Sequence, residues 1–220
     1  MHIKRITMPE TWPLAKKGYK FIVRPKGLMP LELSMPLLVV LRDILHVVEN
    51  KNEAKKVLKD ELVLVNGKII KDNKYSIGLF DRLYIKKLDK GFSLVLDNHG
   101  LLKIHEITKD KIEKKPFRVI DKKILKKGKM QINFYGGLNM ITNEKLNVGD
   151  SAVVDLKSKK ILDVLKLAKG SFVLVIRGKH RGEHGKIENI DDFMTISVKN
   201  KKIKIPKENV FVIEENEIAK

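Results

Sequence analysis

Apolar positions between residues 37 and 48 recur at helical spacing. Leu37, Leu38, Leu41, Ile44, Leu45 and Val48 share one face, and Arg42, His46 and Glu49 fall on the other. Ser34 and Pro36 are start signals for this helix. A second, shorter helix is predicted from Asn52, a good cap, and buries Ala54, Val57 and Leu58. Lys55 and Lys59 lie four apart on its outer face, with Lys56 beside them. The period then changes to that of strands. Val63-Leu64-Val65-Asn66-Gly67-Lys68-Ile69-Ile70 places Asn-Gly between two β-branched runs, a strong hairpin signal. Leu83-Tyr84-Ile85 closes this unit near residue 90.

From residue 91 onward short strands recur every 8–12 residues. Turns are expected at Asn98-His99-Gly100, Lys127-Gly128, Gly136-Gly137 and Gly149-Asp150, a spacing that predicts a small all-β barrel. The Lys-dense stretch 109–129 reads as an exposed β-loop. A final unit begins at Phe172: Phe172 to Ile176, a glycine turn, Gly185 to Ile190, Met194 to Val198, then Ile203 to Ile205. So many strands in so short a stretch predict a compact barrel of the SH3-like kind. Glu214, Glu215 and Glu217 make the end acidic.

The first 35 residues have neither period. Pro9, Pro13, Gly18, Pro25, Gly27 and Pro30 block helix and central strand, which predicts an extended arm. Trp12, Leu14, Tyr19, Phe21, Ile22 and Val23 are anchors that a partner would order.

Charge narrows the function classes. The 220 residues carry 46 Lys plus Arg against 27 Asp plus Glu, a net charge of +19. Residues 1–30 hold 7 basic and 1 acidic side chains, and residues 91–170 hold 17 and 9. Such a surplus repels itself in the compact state unless a polyanion is near, so nucleic acid is the leading partner and an anionic membrane surface the second. The absence of cysteine excludes disulfide scaffolds and thiolate zinc sites. No stretch approaches the ~18 apolar residues of a spanning helix. A soluble, intracellular chain is expected.

Candidate chemistry is sparse. His180-Arg181-Gly182-Glu183-His184 matches the H-x-x-E-H pattern of inverted zinc proteases, which requires a helix so that both histidines share a face. Gly178, Gly182 and Gly185 punctuate the segment, and each costs ~1 kcal/mol in a helix interior, so a loop without metal is expected. No phosphate-binding glycine motif and no nucleophile elbow is present. Asp191-Asp192 reads as a loop start. What remains is phosphate recognition: in a glycine loop, backbone N–H groups can point at phosphate oxygens while Lys179, His180, Arg181 and Lys186 add charge. No catalytic residue, cofactor or metal site is predicted.

Three pieces coincide in order. Residues 36–85, with two helices, a basic second helix and Val63-Leu64-Val65-Asn66-Gly67, resemble the S-four RNA-binding domain. Residues 172–190 look like the KOW motif. His2-Ile3-Lys4-Arg5 through Trp12-Pro13, Pro36 to Asp43, and Gly78-Leu79-Phe80-Asp81 resemble the archaeal and eukaryotic type of small-subunit ribosomal protein four. Where the generic S-four domain has Gly-Asp before its last strand, this chain has Phe80-Asp81.

The resemblance implies a mainly β multidomain chain. It comprises an extended basic arm (1–35), a small α+β S-four-like RNA-binding domain (36–90), a central small β-barrel (91–170) and a C-terminal SH3-like KOW barrel with an acidic tail (171–220). The implied function is structural: binding small-subunit ribosomal RNA, alongside neighbouring small-subunit proteins in the cytoplasmic ribosome, and supporting its folding and assembly. The expected RNA-binding residues are Lys4, Arg5, Lys16, Lys17, Arg24, Lys26, Arg42, Lys55, Lys56, Lys59, Lys179, His180, Arg181 and Lys186. Asn66, Gly67, Gly178, Gly182 and Gly185 are expected to shape turns. Backbone and shape readout should dominate on A-form RNA. The rival from another class is an RNA-modifying enzyme with an S-four-like domain. A transcription-elongation factor carrying a KOW domain is a third reading, and it leaves the S-four-like unit unexplained.

Overall fold

Five consecutive side chains, Leu37 to Leu41, are each at most 1% exposed. A segment buried all round cannot follow a one-faced helical period for long, and the predicted helix is accordingly short. The computed structural model describes residues 2–125, 129–191, 193–198 and 201–218. The chain forms two units, Met1–Val95 with Leu101–Lys115, and Leu96–Gly100 with Pro116–Lys220.

In the first unit, β1 (His2–Lys4) pairs antiparallel with β2 (Phe21–Val23), joined through a 3-10 turn at Arg5–Thr7. The arm is therefore folded, and the expectation of an extended segment is corrected. Its prolines do exclude a longer helix, but Met8, Trp12 and Ile22 are 2–4% exposed and hold it down. The Trp12 indole N–H donates to the Ser34 carbonyl at 2.9 Å. Of the expected anchors, Tyr19 and Phe21 stay outside.

β3 (Ser34–Pro36) leads into α1 (Leu37–Val39), which continues as a π turn over Val40–Ile44. The Leu45 N–H reaches back to Val40, and His46 takes a positive φ of 51°, ending the helix before Val48. α2 (Lys51–Lys59) is capped by Asn50, whose Oδ1 accepts from the N–H groups of Asn52 and Glu53, both at 2.9 Å. The cap thus lies two residues before the expected Asn52. β4 (Val63–Val65) and β5 (Lys68–Ile69) form the predicted hairpin. Asn66 and Gly67 both have positive φ, 51° and 74°, as a type I′ turn requires.

β6 (Ser76–Gly78) pairs antiparallel with β3. β7 (Arg82–Ile85), β8 (Lys90–Leu96) and β9 (Leu102–Ile107) complete a sheet of order β5-β4-β7-β8-β9, followed by α3 (Lys109–Ile112). The boundary drawn at residue 90 falls on the first residue of β8. The unit runs on because Phe92, Leu94 and Val95 are buried and supply core that the shorter segment lacks.

In the second unit, β10 (Lys114–Ile124), β11 (Met130–Phe134), β12 (Asn139–Thr142), β13 (Ser151–Asp155) and β14 (Ile161–Leu165) form a sheet of order β12-β11-β10-β13-β14. Phe117 and Phe134 meet at its core with ring centroids 5.8 Å apart. Gly136, Gly137 and Gly149 take positive φ at the expected turns, whereas Lys127-Gly128 lies outside the described residues. The Lys-dense stretch is not a β-loop over its described length: it supplies α3 and the strand β10.

The C-terminal sheet contains β15 (Phe172–Val175), β16 (His184–Ile190), β17 (Phe193–Val198), β18 (Lys201–Pro206) and β19 (Val210–Val212), in the order β18-β17-β16-β15-β19. The four predicted strands are present. The fifth, β19, is a short run of three buried residues with no alternation to betray it. Asp192 lies outside the described residues.

Candidate nucleic-acid interface

α2 is the clearest basic face. Ala54 and Leu58 are fully buried, so the same helix presents Lys55, Lys56 and Lys59 to solvent. Lys55 and Lys59 border a cleft of about 520 Å³ that also includes Lys71, Asp72 and Asn73. Asn73 is 7% exposed, and its amide Nδ2 has no hydrogen-bond partner among the described residues. A buried amide donor beside three lysines suits a phosphate oxygen. Lys71 contacts Glu61 at 2.7 Å and holds that carboxyl below the usual carboxylate range. Sequence reasoning missed Lys71 and Asn73, because nothing in a polar turn marks one amide as buried.

Arg42 is half-buried and already engaged. Its Nε and Nη2 bond Asp43 at 3.0 and 2.9 Å, and that bond raises its pKa. The hairpin residue Asn66 does more than turn the chain. Its Nδ2 donates to Asp81 Oδ1 at 2.7 Å, and its Oδ1 accepts from the Arg82 N–H at 2.9 Å. Asp81 also accepts from the Gly78 N–H at 2.6 Å and forms a buried ion pair with Lys115. Phe80, in place of the generic glycine, holds the turn at φ 60° with its ring fully buried. A bulky residue at positive φ is strained, and burial of the ring offsets that cost.

In the arm, Lys4, Lys16, Lys17, Arg24 and Lys26 are exposed as expected. Arg5 is not: it is 9% exposed and its Nε donates to the Ala15 carbonyl at 2.6 Å. It is a structural residue, and it leaves the expected RNA-facing set. Next to it, Tyr19 lies under the Arg5 guanidinium at 5.7 Å, and Phe21 under the Lys20 ammonium at 5.4 Å. Exposed aromatic rings beside cations offer stacking surfaces for bases as well as charge for phosphates.

The three glycines of the loop meet two different requirements. Gly178 and Gly182 have φ of 89° and 91°, but Gly185 lies within β16 and needs no positive φ. It is required instead by close approach, since a Cβ there would stand 2.0 Å from the Ser197 carbonyl oxygen. The N–H groups of Arg181, Gly182 and Glu183 donate to Gly178, Val175 and His180 within the loop. They are not aimed at a phosphate. Gly182 meets the turn Asp97–Gly100, and a Cβ there would lie 2.0 Å from the Asp97 carbonyl oxygen.

Lys179 is exposed, and Arg181 is half-buried, its Nε without a hydrogen-bond partner among the described residues. His180 Nδ1 lies 3.2 Å from Glu183 Oε1, and Lys186 Nζ lies 3.2 Å from Glu215 Oε1. His180 sits in a turn and His184 starts a strand, so the H-x-x-E-H spacing does not place both on a helical face. Among the described residues no group of three or more His, Asp or Glu is placed to hold a metal ion, and no helix is long and apolar enough to cross a membrane.

Comparison with known proteins agrees with this arrangement along most of the chain. Residues 1–27 match the RS4NT domain, residues 35–83 the S4 domain, and residues 88–161 the ribosomal family S4e. The small ribosomal subunit protein eS4 of Methanocella arvoryzae is 37% identical over 190 residues, covering 86% of this chain and 80% of that protein. Its counterpart from Methanothermobacter thermautotrophicus is 34% identical, covering 86% of this chain and 79% of that protein. The crystal structure of the 30S ribosomal protein S4e from Thermoplasma acidophilum superposes with a TM-score of 0.71 at 26% identity, covering 82% of this chain and 95% of that one. With relatives at this identity aligned over most of their own length, the chain belongs to the ribosomal S4e family.

Proposed function

We propose that this protein is a structural, non-catalytic component of the small ribosomal subunit, which binds its ribosomal RNA and supports RNA folding and assembly. The observation that carries the reading is the Lys55–Lys56–Lys59 face with its adjoining Lys71–Asn73 cleft, on an S4 domain of a chain in this family. Lysines there neutralise phosphates, and the buried Asn73 donor fixes the position of one of them. Lys4, Lys16, Lys17, Arg24 and Lys26 of the N-terminal lobe extend the contact, and Lys179, Arg181 and Lys186 form a separate patch. The C-terminal sheet is an SH3-like barrel built on a KOW motif, and the sheet before it is a second small barrel. Partners are ribosomal RNA and neighbouring small-subunit proteins, in the cytoplasmic ribosome.

Sedimentation of small-subunit particles tests this. The tagged protein should remain with the particle through a high-salt wash. Full release at low salt, or co-sedimentation with another RNA-containing complex, would overturn the assignment.

A further inference from the structure

The second unit contains a cleft, apolar over much of its wall at Val198 and Ile203, that the phosphate-binding account leaves unused. Its volume is about 620 Å³, and it is bordered by His99, by His180, Glu183 and His184, and by Lys201 and Lys202 at the start of β18. This is within the range of pockets that enclose small planar ligands. Two polar atoms of its wall are shielded from solvent and have no partner among the described residues: Glu183 Oε2 and His184 Nδ1. Such groups are costly unless something satisfies them. Both side chains are held in place. Glu183 Oε1 is engaged by His180 at 3.2 Å, and the His184 ring lies against Phe172 with centroids 5.6 Å apart.

The mixture of groups selects the ligand. A carboxylate repels phosphate, so an anion is the wrong occupant for the floor of the cleft. A carboxylate acceptor beside an imidazole, which can donate or accept, complements a base edge, where N–H donors adjoin acceptors. Imidazole rings also provide faces for a base to stack on. The rim is cationic: Lys201 and Lys202 are exposed, with Lys202 sharing its charge with Glu188 at 2.7 Å. Charge at the rim and base-edge partners inside match a nucleotide whose base enters and whose phosphates remain outside.

We propose that this cleft receives one unpaired nucleobase of the bound RNA strand. The inference rests on the RNA-binding reading above and adds base recognition to it. Glu183 accepts from a base N–H, His184 completes the edge, and the lysines hold the flanking phosphates.

The full-length protein would be titrated with an oligoadenylate dodecamer, an oligocytidylate dodecamer, and an abasic dodecamer of equal charge. At least one base-bearing oligomer should bind about ten-fold more tightly than the abasic one, as a single stacked and hydrogen-bonded base provides. Glu183→Gln should remove most of that preference while leaving the melting temperature and the salt dependence unchanged, because no phosphate contact is lost. Equal binding of all three oligomers would overturn the cleft assignment and leave RNA binding standing. Failure of all three to bind would overturn both.

Base-bearing RNA should also shield His99 and His184 from diethyl pyrocarbonate. Shielding by adenosine monophosphate at the same nucleotide concentration would assign the cleft to free nucleotides. Shielding only by RNA-free small-subunit protein would assign it to a protein neighbour. Either result would overturn the proposal.

Discussion

Gly178 and Gly182 offer an internal comparison, because they share one loop and nearly one backbone conformation, φ 89° and 91°. An alanine at either must adopt a left-handed conformation, at a cost of about 1–2 kcal/mol. The surroundings differ. A Cβ on Gly178 would have nothing nearer than Asn209 Nδ2 at 3.7 Å, which is ordinary contact. On Gly182 it would meet the Asp97 carbonyl oxygen at 2.0 Å and the Gly100 nitrogen at 2.7 Å. Those atoms cannot swing aside as a lysine tip would, since they belong to a turn closed by the Gly100 N–H to Asp97 carbonyl bond of 2.8 Å. Relief requires backbone movement, and overpacking of this kind costs about 1–3 kcal/mol more. At about 2–4 °C per kcal/mol for a chain of this size, Gly178→Ala should lower Tm by about 2–8 °C. Gly182→Ala should lower it by about 4–20 °C, and always by more than its neighbour. Differential scanning calorimetry of the two variants under identical buffer decides the matter. Equal shifts would show that the Asp97–Gly100 turn does not rest on Gly182.

Replacing Lys55 and Lys59 together by Glu should weaken RNA binding strongly, with Tm unchanged within a degree or two; a collapse of Tm would mean that the face is structural. Lys115→Met should cost about 3–5 kcal/mol in denaturant unfolding, because it strands the buried Asp81 carboxylate. Phe80→Gly should also destabilise, since losing the buried ring costs about 3–5 kcal/mol against about 1–2 kcal/mol of backbone strain relieved. If about eight side chains contact phosphates, log K for RNA should fall against log salt with a slope near −7, and a slope shallower than about −2 would refute the polyelectrolyte account. Asp89, whose pKa is lowered by hydrogen bonds from Lys109 and Tyr84, gives a small stabilisation that is present above the ordinary carboxylate pKa. It is lost as pH falls through the lowered value, so Asp89→Asn should flatten the acid limb of an unfolding curve.

The elements legible in the sequence were those with a local cause. Asn-Gly at 66–67 must turn in one way, and Ala54 with Leu58 four residues apart must face a core. The glycine turns at 136–137 and 149 follow in the same manner. What escaped depended on partners distant in sequence. The arm looks extended because its prolines veto regular structure, but pairing of β1 with β2, the Trp12 indole N–H bonded to Ser34 and the buried Met8 and Ile22 hold it folded. The helix after Pro36 looked longer than it is. Its apolar period continues to Val48, although the backbone widens into a π turn and reverses at His46. The change of period near residue 90 coincides with the first residue of β8, where the sheet continues from β7.

Charge was legible in sum and not residue by residue. A net +19 says that basic side chains outnumber acidic ones, but it cannot say which of them face solvent. Arg5, Arg82, Lys115 and Arg118 are each at most 9% exposed. Arg82 donates to the Lys114 carbonyl and the Ser93 hydroxyl, both at 2.7 Å, and Arg118 donates to the carbonyls of Lys207 and Glu208. These guanidinium and ammonium groups tie strands to loops far along the chain, a service for which Arg, with five donors in a fixed fork, is well suited. Burial pushes the Arg118 pKa down, which marks a charge kept for its hydrogen bonds rather than for a polyanion. The segment after β15 is likewise a loop, as Gly178 and Gly182 at positive φ require. The N–H groups of Arg181, Gly182 and Glu183 are spent on the chain's own carbonyls and the glycine at 182 admits the chain's own turn, while Lys179 stands exposed beside them.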